Sequence, residues 1–294
     1  MMNKPRFAIR GCTALITGAT AGLGAEFARQ LGPVASRLIL VGRRVERLAD
    51  LADSLKISNP YLQIDSIAVD LARSSERERL AAHIIQEQIP LNLLVNNAGL
   101  GDLGAFDSAE WSRLASVLEV NVTALTHLTH LLLPMLALTH LTHLLLPMLR
   151  AQGPSGILNV SSVAGFYPLP EMAVYAATKA YVTSFSEALR MELSSEGIAV
   201  TALCPGPVPT EFFQVASRDG ETIRAMDRSH PILAASPDLV VREALWGLEK
   251  HKPGVIPNSL LALLVRGSRL LPFPLIRESI RLGAGPKKPS KAGG

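Results

Sequence analysis
The sequence predicts a doubly wound parallel α/β sheet with helices on both faces, built as a single domain. Two observations predict it. Short β-rich apolar runs alternate with longer segments of helical period between Thr13 and Leu203, the pattern that parallel crossover units produce. Each chemically suggestive group of residues then falls at the carboxyl end of such a run or on the helix after it, where open parallel sheets bind ligands.

In order, Thr13–Thr17 reads as the first strand and Gly22–Leu31 as the first helix, with a glycine-rich turn between them. Arg37–Val41 is the second strand, Val45–Leu55 a helix, Leu62–Val69 the third strand and Ser75–Gln88 a helix. Leu91–Val95 is the fourth strand, and a helix follows from Ser108 onward. Gly156–Val160, the helix Met172–Ser195 and the strand Ile198–Leu203 complete the alternation.

A chain of 294 residues can bury one large α/β core, and no linker divides it. Residues 1–282 are expected to form the domain. The Gly/Pro/Lys tail, Gly283 to Gly294, offers nothing apolar to pack and reads as disordered and basic. A formal net charge of +4 without a basic stripe interleaved with aromatics argues against a nucleic-acid partner. Cys12 and Cys204 each lie in an apolar run, which favours reduced core thiols and a cytoplasmic setting. The first strand begins by about Thr13, leaving no room for a signal peptide, so the mature chain is expected to start at Met1.

One region breaks the rhythm. Residues 124–136, ALTHLTHLLLPML, recur verbatim as residues 137–149, a tandem duplication inside one helix rather than a solenoid. No charged residue occurs between Glu119 and Arg150, yet four His and two Pro argue against a membrane span. Those His lack acidic or cysteine neighbours, so no metal site is expected. A helix continued through both copies would lengthen by ~20 Å and rotate its downstream face by about 220°. The linker Arg150–Ser155 could not then return the chain to the next strand. The first copy, continuous with Asn121, is therefore expected to dock, with the second displaced as a loop or helical extension that exposes leucines.

Thr17-Gly18-Ala19-Thr20-Ala21-Gly22-Leu23-Gly24 allows a tight turn and close backbone approach where a helix N-terminus can receive a pyrophosphate. Val41-Gly42-Arg43-Arg44 follows the second strand, where an acid would select a ribose 2′-hydroxyl and a cation a 2′-phosphate. The arginines favour NADP(H), with Arg43 as the expected phosphate partner. Tyr175 and Lys179 stand one helical turn apart on one face, and a cation near a phenol favours the phenolate. By itself the pair is also compatible with an amphipathic residue beside a charge.

Thr-Gly-x-x-x-Gly-x-Gly, Asn96-Asn97-Ala98-Gly99, Ser162, Tyr175-x-x-x-Lys179 and Pro205-Gly206 together resemble the short-chain dehydrogenase/reductase family, from about Gly11 to Thr210. The resemblance implies a Rossmann-type fold, with Thr17, Gly18, Thr20, Gly22, Leu23 and Gly24 in the cofactor turn. It implies Asp70 and Leu71 at the adenine, and Asn96, Asn97, Ala98 and Gly99 supporting the sheet and flanking the adenosine. Tyr175 would be the acid/base, Lys179 would bind the nicotinamide ribose and depress the tyrosine pKa, and Ser162 would hold the substrate oxygen. Asn121 would anchor a water in a proton relay, and Pro205, Gly206, Val208 and Thr210 would cradle the nicotinamide end. Asp70 could instead cap a turn, and Ser161 competes with Ser162. Ser162 is chosen for its thirteen-residue distance to Tyr175. Removing one copy of the repeat leaves Asn121 and Ser162 28 residues apart, close to the family distance.

Phe166-Tyr167-Pro168-Leu169-Pro170 and the segment Pro207–Ser236 are expected to line the substrate side, with Phe212, Phe213 and Val215 as an apolar wall or as packing of a short lid helix. The leucine-rich stretch Leu260–Ile276 suits core or oligomer packing better than a membrane surface, because Pro272 and Pro274 interrupt it. The expected function is NADP-dependent interconversion of a small, apolar carbonyl and its alcohol by a homo-oligomeric enzyme. Two alternatives stay open: a catalytically silent variant whose repeat perturbs the site or assembly, and a peripheral membrane protein.

Overall fold
Parallel strands in the order β3-β2-β1-β4-β5-β6-β7 make one sheet: β1 Thr13–Thr17, β2 Arg37–Gly42, β3 Gln63–Ala68, β4 Leu93–Asn96, β5 Gly156–Val160, β6 Ala199–Leu203 and β7 Gly254–Val255. The strand order reverses between β1 and β4, so the turn after β1 faces the residues after β4. The structure is a computed structural model that describes residues 7–145, 154–218, 233–268 and 270–283, with residues 137–145 described as backbone.

Alternation along the strands divides the core into two layers. Ala14, Ile16, Leu38, Leu40 and Val95 pack against helices α1 (Gly22–Leu31) and α2 (Val45–Ser58) and the helix Pro237–Glu249. Leu15, Ile39, Leu94 and Ile157 face α3 (Ser74–Gln86), α5 (Leu125–Leu145) and α6 (Ala173–Glu192). Strands buried on both faces read as near-continuous apolar runs, which is why they were visible as such. The result is a Rossmann-type fold.

α4 (Trp111–Leu118) runs through a π-helical turn, Glu119–Ala124, into α5. The first copy of the repeat seats inside: Leu125, Leu128, Leu132 and Leu136 are buried. Its polar residues have defined partners. Thr129 Oγ1 accepts from Asn96 Nδ2 at 3.0 Å, and His127 Nδ1 accepts from the buried Arg77 Nε at 3.2 Å. The helix then continues through Leu145, whereas Ser155 Oγ donates to Leu136 O at 3.1 Å just before β5. The end of the first copy is thus joined directly to the entry of the next strand. Residues 146–149 of the second copy, and the side chains that would form the expected leucine patch, lie outside the described residues.

Excising residues 137–149 shortens the chain between Leu136 and Ser155 from eighteen residues to five, and the product is the same whichever copy is removed. Loop closure alone makes the shorter protein more stable by about 1 kcal/mol. Its urea midpoint is expected to rise with the cooperative transition kept; a lower midpoint would mean that the second copy contributes packing.

Among the elements that the sequence did not place are β7 and the helix Pro237–Glu249. The helix carried a start signal, Ser236 followed by Pro237: the serine Oγ accepts from Leu239 N at 3.3 Å, and proline suits the first helical turn. Pro272 lies between two helices, Ser259–Ser268 and Phe273–Gly283, and Pro274 sits in the first turn of the second. Among the described residues of that stretch only Leu261 and Val265 are buried, while Leu263, Leu264, Leu270 and Phe273 are exposed, so core packing accounts for a minor part of it. Among the described residues no helix is long and apolar enough to cross a membrane. Residues 284–294 of the basic tail and 219–232 of the substrate-side segment lie outside the described residues.

Candidate functional site
The turn after β1 is built by backbone contact. Gly18 has φ +68°, and a Cβ on Gly24 would stand 2.1 Å from Gly18 O, so a side chain at Gly24 cannot be accommodated. Thr17 Oγ1 accepts from the amides of Asn97 and Ala98, both at 3.0 Å, and Asn97 Nδ2 donates to Thr17 O at 2.8 Å. These bonds lock the β1 turn to the turn after β4. Gly22, Leu23 and Gly24 then open α1, whose first amides are those a helix leaves without intrahelical partners. Across from them, Arg44 donates from Nη2 to Thr20 Oγ1 at 3.1 Å, whereas Arg43 is exposed in the turn between β2 and α2. Asp70 Oδ1 accepts from Ala72 N at 3.1 Å, bracing its own turn beside the buried Leu71.

The second half of the site gathers on α6. Tyr175, Lys179, Ser162 and Asn121 are all buried. Ser161 and Ser162 divide by direction: Ser161 Oγ donates to Lys179 O at 2.8 Å and anchors α6, whereas Ser162 Oγ accepts from Ala164 N at 3.1 Å, donates to Pro205 O at 3.4 Å and faces the Tyr175 phenol. Gly165 lets the turn Val163–Phe166 press on α6, since a Cβ there would lie 2.6 Å from the Lys179 carbonyl carbon. Asn121 sits in the π-helical turn, a feature that recurs at functional sites. Its Oδ1 accepts from Leu100 N at 2.8 Å, and its Nδ2 donates to Leu100 O at 2.9 Å and to Thr178 Oγ1 at 3.0 Å. A Cβ on Gly99 would stand 3.3 Å from Asn121 Oδ1 and 3.4 Å from Lys179 Nζ, so that glycine separates the two side chains.

Electrostatics here differ from the sequence expectation that Lys179 lowers the tyrosine. Burial pushes the Tyr175 phenol up to about 12, only partly offset by its hydrogen bond with Ser162. The same burial pulls Lys179 down to about 8. Lys179 Nζ donates to Val160 O at 2.9 Å and stands 5.7 Å from the Tyr175 ring centroid, so its charge is directed at a carbonyl rather than at the phenol oxygen.

A lid leads away from β6. Pro205 O accepts from Val163 N at 3.0 Å, Val208 is buried, and a Cβ on Gly206 would meet Leu261 at 2.5 Å. Thr210 lies over Gly22, within 3.4 Å of where a Cβ would be. The short helix α7 (Phe212–Ala216) follows, with the Phe212 ring 5.4 Å from that of Tyr175. Asp102 fastens this lid: its carboxylate accepts from Arg113 Nε at 2.7 Å and from Arg218, and Arg113 Nη2 donates to Val215 O and Ala216 O at 2.8 Å.

Residues 12–221 match the family described as short chain dehydrogenase. The chain belongs to the short-chain dehydrogenase family. A sulfoacetaldehyde reductase of Chromohalobacter salexigens is 35% identical, over 85% of this chain and 93% of its own length. Serine 3-dehydrogenase of Agrobacterium fabrum is 32% identical, over 91% and 99%. Among solved structures, a short-chain dehydrogenase from Sphingobium yanoikuyae in complex with NADPH superposes with a TM-score of 0.73 at 27% identity, covering 96% of this chain and 98% of that one.

In this short-chain dehydrogenase the sequence-predicted residues form two groups at the carboxyl edge of the sheet, one around the glycine turn and one around Tyr175. Arg47, Asp102, Thr178 and Glu211 were passed over, and of the two arginines after β2 only Arg43 was assigned a role. Arg44 is the one that reaches Thr20, and its pairing with Glu211 spans 167 positions and carries no local signal. Cys12 and Cys204 are buried core thiols. Among the described residues no group of His, Cys, Asp and Glu could hold a metal.

Proposed function
We propose that the protein is an NADP(H)-dependent oxidoreductase that interconverts a small carbonyl compound and its alcohol. The observation that carries this reading is the buried convergence of Tyr175, Ser162, Lys179 and Asn121 beside Gly99. The cofactor fits the residues present. Gly18, Gly22 and Gly24 shape the tight turn at the α1 N-terminus that would receive a pyrophosphate, Asp70, Leu71, Asn97, Ala98 and Gly99 would border the adenosine side, and Arg43 and Arg44, beside Thr20, would offer donors to a 2′-phosphate. When bound, the nicotinamide supplies the hydride.

The protein's part is proton transfer and charge stabilisation. Negative charge grows on the substrate oxygen as the carbonyl is reduced, and Ser162 is placed to hold that oxygen while Tyr175 gives it a proton. With its phenol up at about 12, Tyr175 is protonated at neutral pH, the form that reduction requires. Lys179 and Asn121 lie behind it, where they can hold the ribose and restore the proton. Pro205, Gly206, Val208 and Thr210 form the rim that would enclose the nicotinamide end, and Phe212 gives the substrate side an apolar face. Assembly into a homo-oligomer belongs to the same reading.

The test is NADPH oxidation against a panel of aldehydes, ketones and β-keto acyl compounds, with NADPH binding followed in parallel by fluorescence. Turnover with at least one class supports the reading. Binding without turnover on any of them would point to the catalytically silent alternative, and no binding would reject the cofactor.

A further inference from the structure
The lid is tied to the cofactor groove by charge as well as by contact. Glu211, at the start of α7, accepts from Arg47 Nη1 at 2.8 Å and from Arg44 Nη1 at 3.1 Å. Among the described residues it is the only carboxylate paired with either arginine. Arg44 meanwhile holds Thr20 through both Nε, at 3.3 Å, and Nη2, at 3.1 Å. Two guanidinium groups, one of them also held by the Thr20 hydroxyl, therefore converge on one anionic group at the adenosine end of the groove, and that group belongs to the lid. Thr210, the residue before it, covers Gly22 in the glycine turn. The two arginines hold the Glu211 carboxylate below its ordinary range, so it remains an anion at any neutral pH.

A phosphate dianion and a carboxylate compete for the same fork of donors, and the phosphate carries the greater charge. We propose that Glu211 is a specificity-determining counter-anion: it occupies Arg44 and Arg47 until a 2′-phosphate displaces it, coupling the phosphorylated cofactor to release of the lid. This inference rests on the NADP(H) reading above. A dinucleotide without the 2′-phosphate leaves the Glu211 pairs intact and the lid tied across the groove. Glu211 is thus a tuning residue that touches neither the hydride nor the proton being transferred.

The test uses the full chain and Glu211→Gln, an isosteric change at a half-exposed position that leaves packing unaltered. NADPH and NADH affinities are measured for both proteins by fluorescence titration at two salt concentrations. Removing an exposed competing ion pair is expected to tighten NADPH by roughly two- to fivefold at low salt, with the gain shrinking at high salt and NADH changing less than twofold. Equal tightening of both cofactors, or none, would overturn the proposal. Equal weakening of both would show that Glu211 closes over the cofactor rather than competing with it, and would overturn it too. Failure of both proteins to bind NADPH would instead reject the NADP(H) reading, a result separate from equal NADPH binding by the two.

Discussion

Replacing Tyr175 with phenylalanine is expected to cut carbonyl reduction by about 10²–10⁴-fold, the usual contribution of a positioned proton donor. Because the ring is kept, its contact with Phe212 at 5.4 Å and its burial in α6 survive, and the fold should be unchanged. The affinity for NADPH should stay within about twofold, since the phenol oxygen is the only atom lost and it faces Ser162. Single-turnover rates beside fluorescence titrations separate the two effects. A variant that reduces substrate as fast as the parent would remove Tyr175 from the chemistry. The parent should also oxidise alcohols faster as pH rises, because that direction needs the phenolate and burial has pushed the phenol up to about 12. The phenylalanine variant should lack this dependence.

The second large effect is on stability. Asp102→Asn keeps the shape but leaves Arg113 and Arg218 facing each other without their shared carboxylate. Breaking a buried ion pair on one side costs about 3–5 kcal/mol, and the partial exposure of Arg113 reduces that to about 2–3 kcal/mol. The lid should loosen first, since Arg113 also binds the carbonyls of Val215 and Ala216. Burial works to raise the Asp102 pKa, but hydrogen bonds and charge from Arg218 and Arg113 outweigh it and leave the group lowered. A carboxyl lowered on folding contributes stability that is full above its unfolded value of about 3.9 and is lost as pH falls through the folded value. The gap between parent and Asp102→Asn should therefore be wide at pH 7 and close in strong acid. Urea midpoints at the two pH values measure it, and a gap that is the same in both would exclude the ion pair as its source.

Much of the fold was legible because its signals are local. Strands β1 and β5 and helix α1 begin and end where apolar runs and glycines place them. The glycine turn and the Tyr175–Lys179 spacing likewise show themselves within a few residues of sequence. The clasps do not. Asp102 meets Arg218 across 116 positions, and Glu211 meets Arg44 across 167, distances at which no periodicity operates. β7 contains two residues, too few to register as a run. The direction of the tyrosine shift was missed for a different reason: spacing tells that a lysine is near, but not that its Nζ is bonded to Val160 O or how completely the phenol is buried. Asn121 was located correctly on a helix, yet nothing in its neighbours announced the π-helical turn that turns it toward Leu100.

The junction between Leu136 and Ser155 has a use in protein engineering. Since Leu136 and Ser155 meet in one 3.1 Å hydrogen bond, foreign sequence in place of residues 137–149 is expected to leave β5 beside β4. A fluorescent reporter or an affinity module whose own termini lie close together could be grafted there in place of residues 137–149, remote from the carboxyl edge of the sheet, and read out without touching either end of the chain.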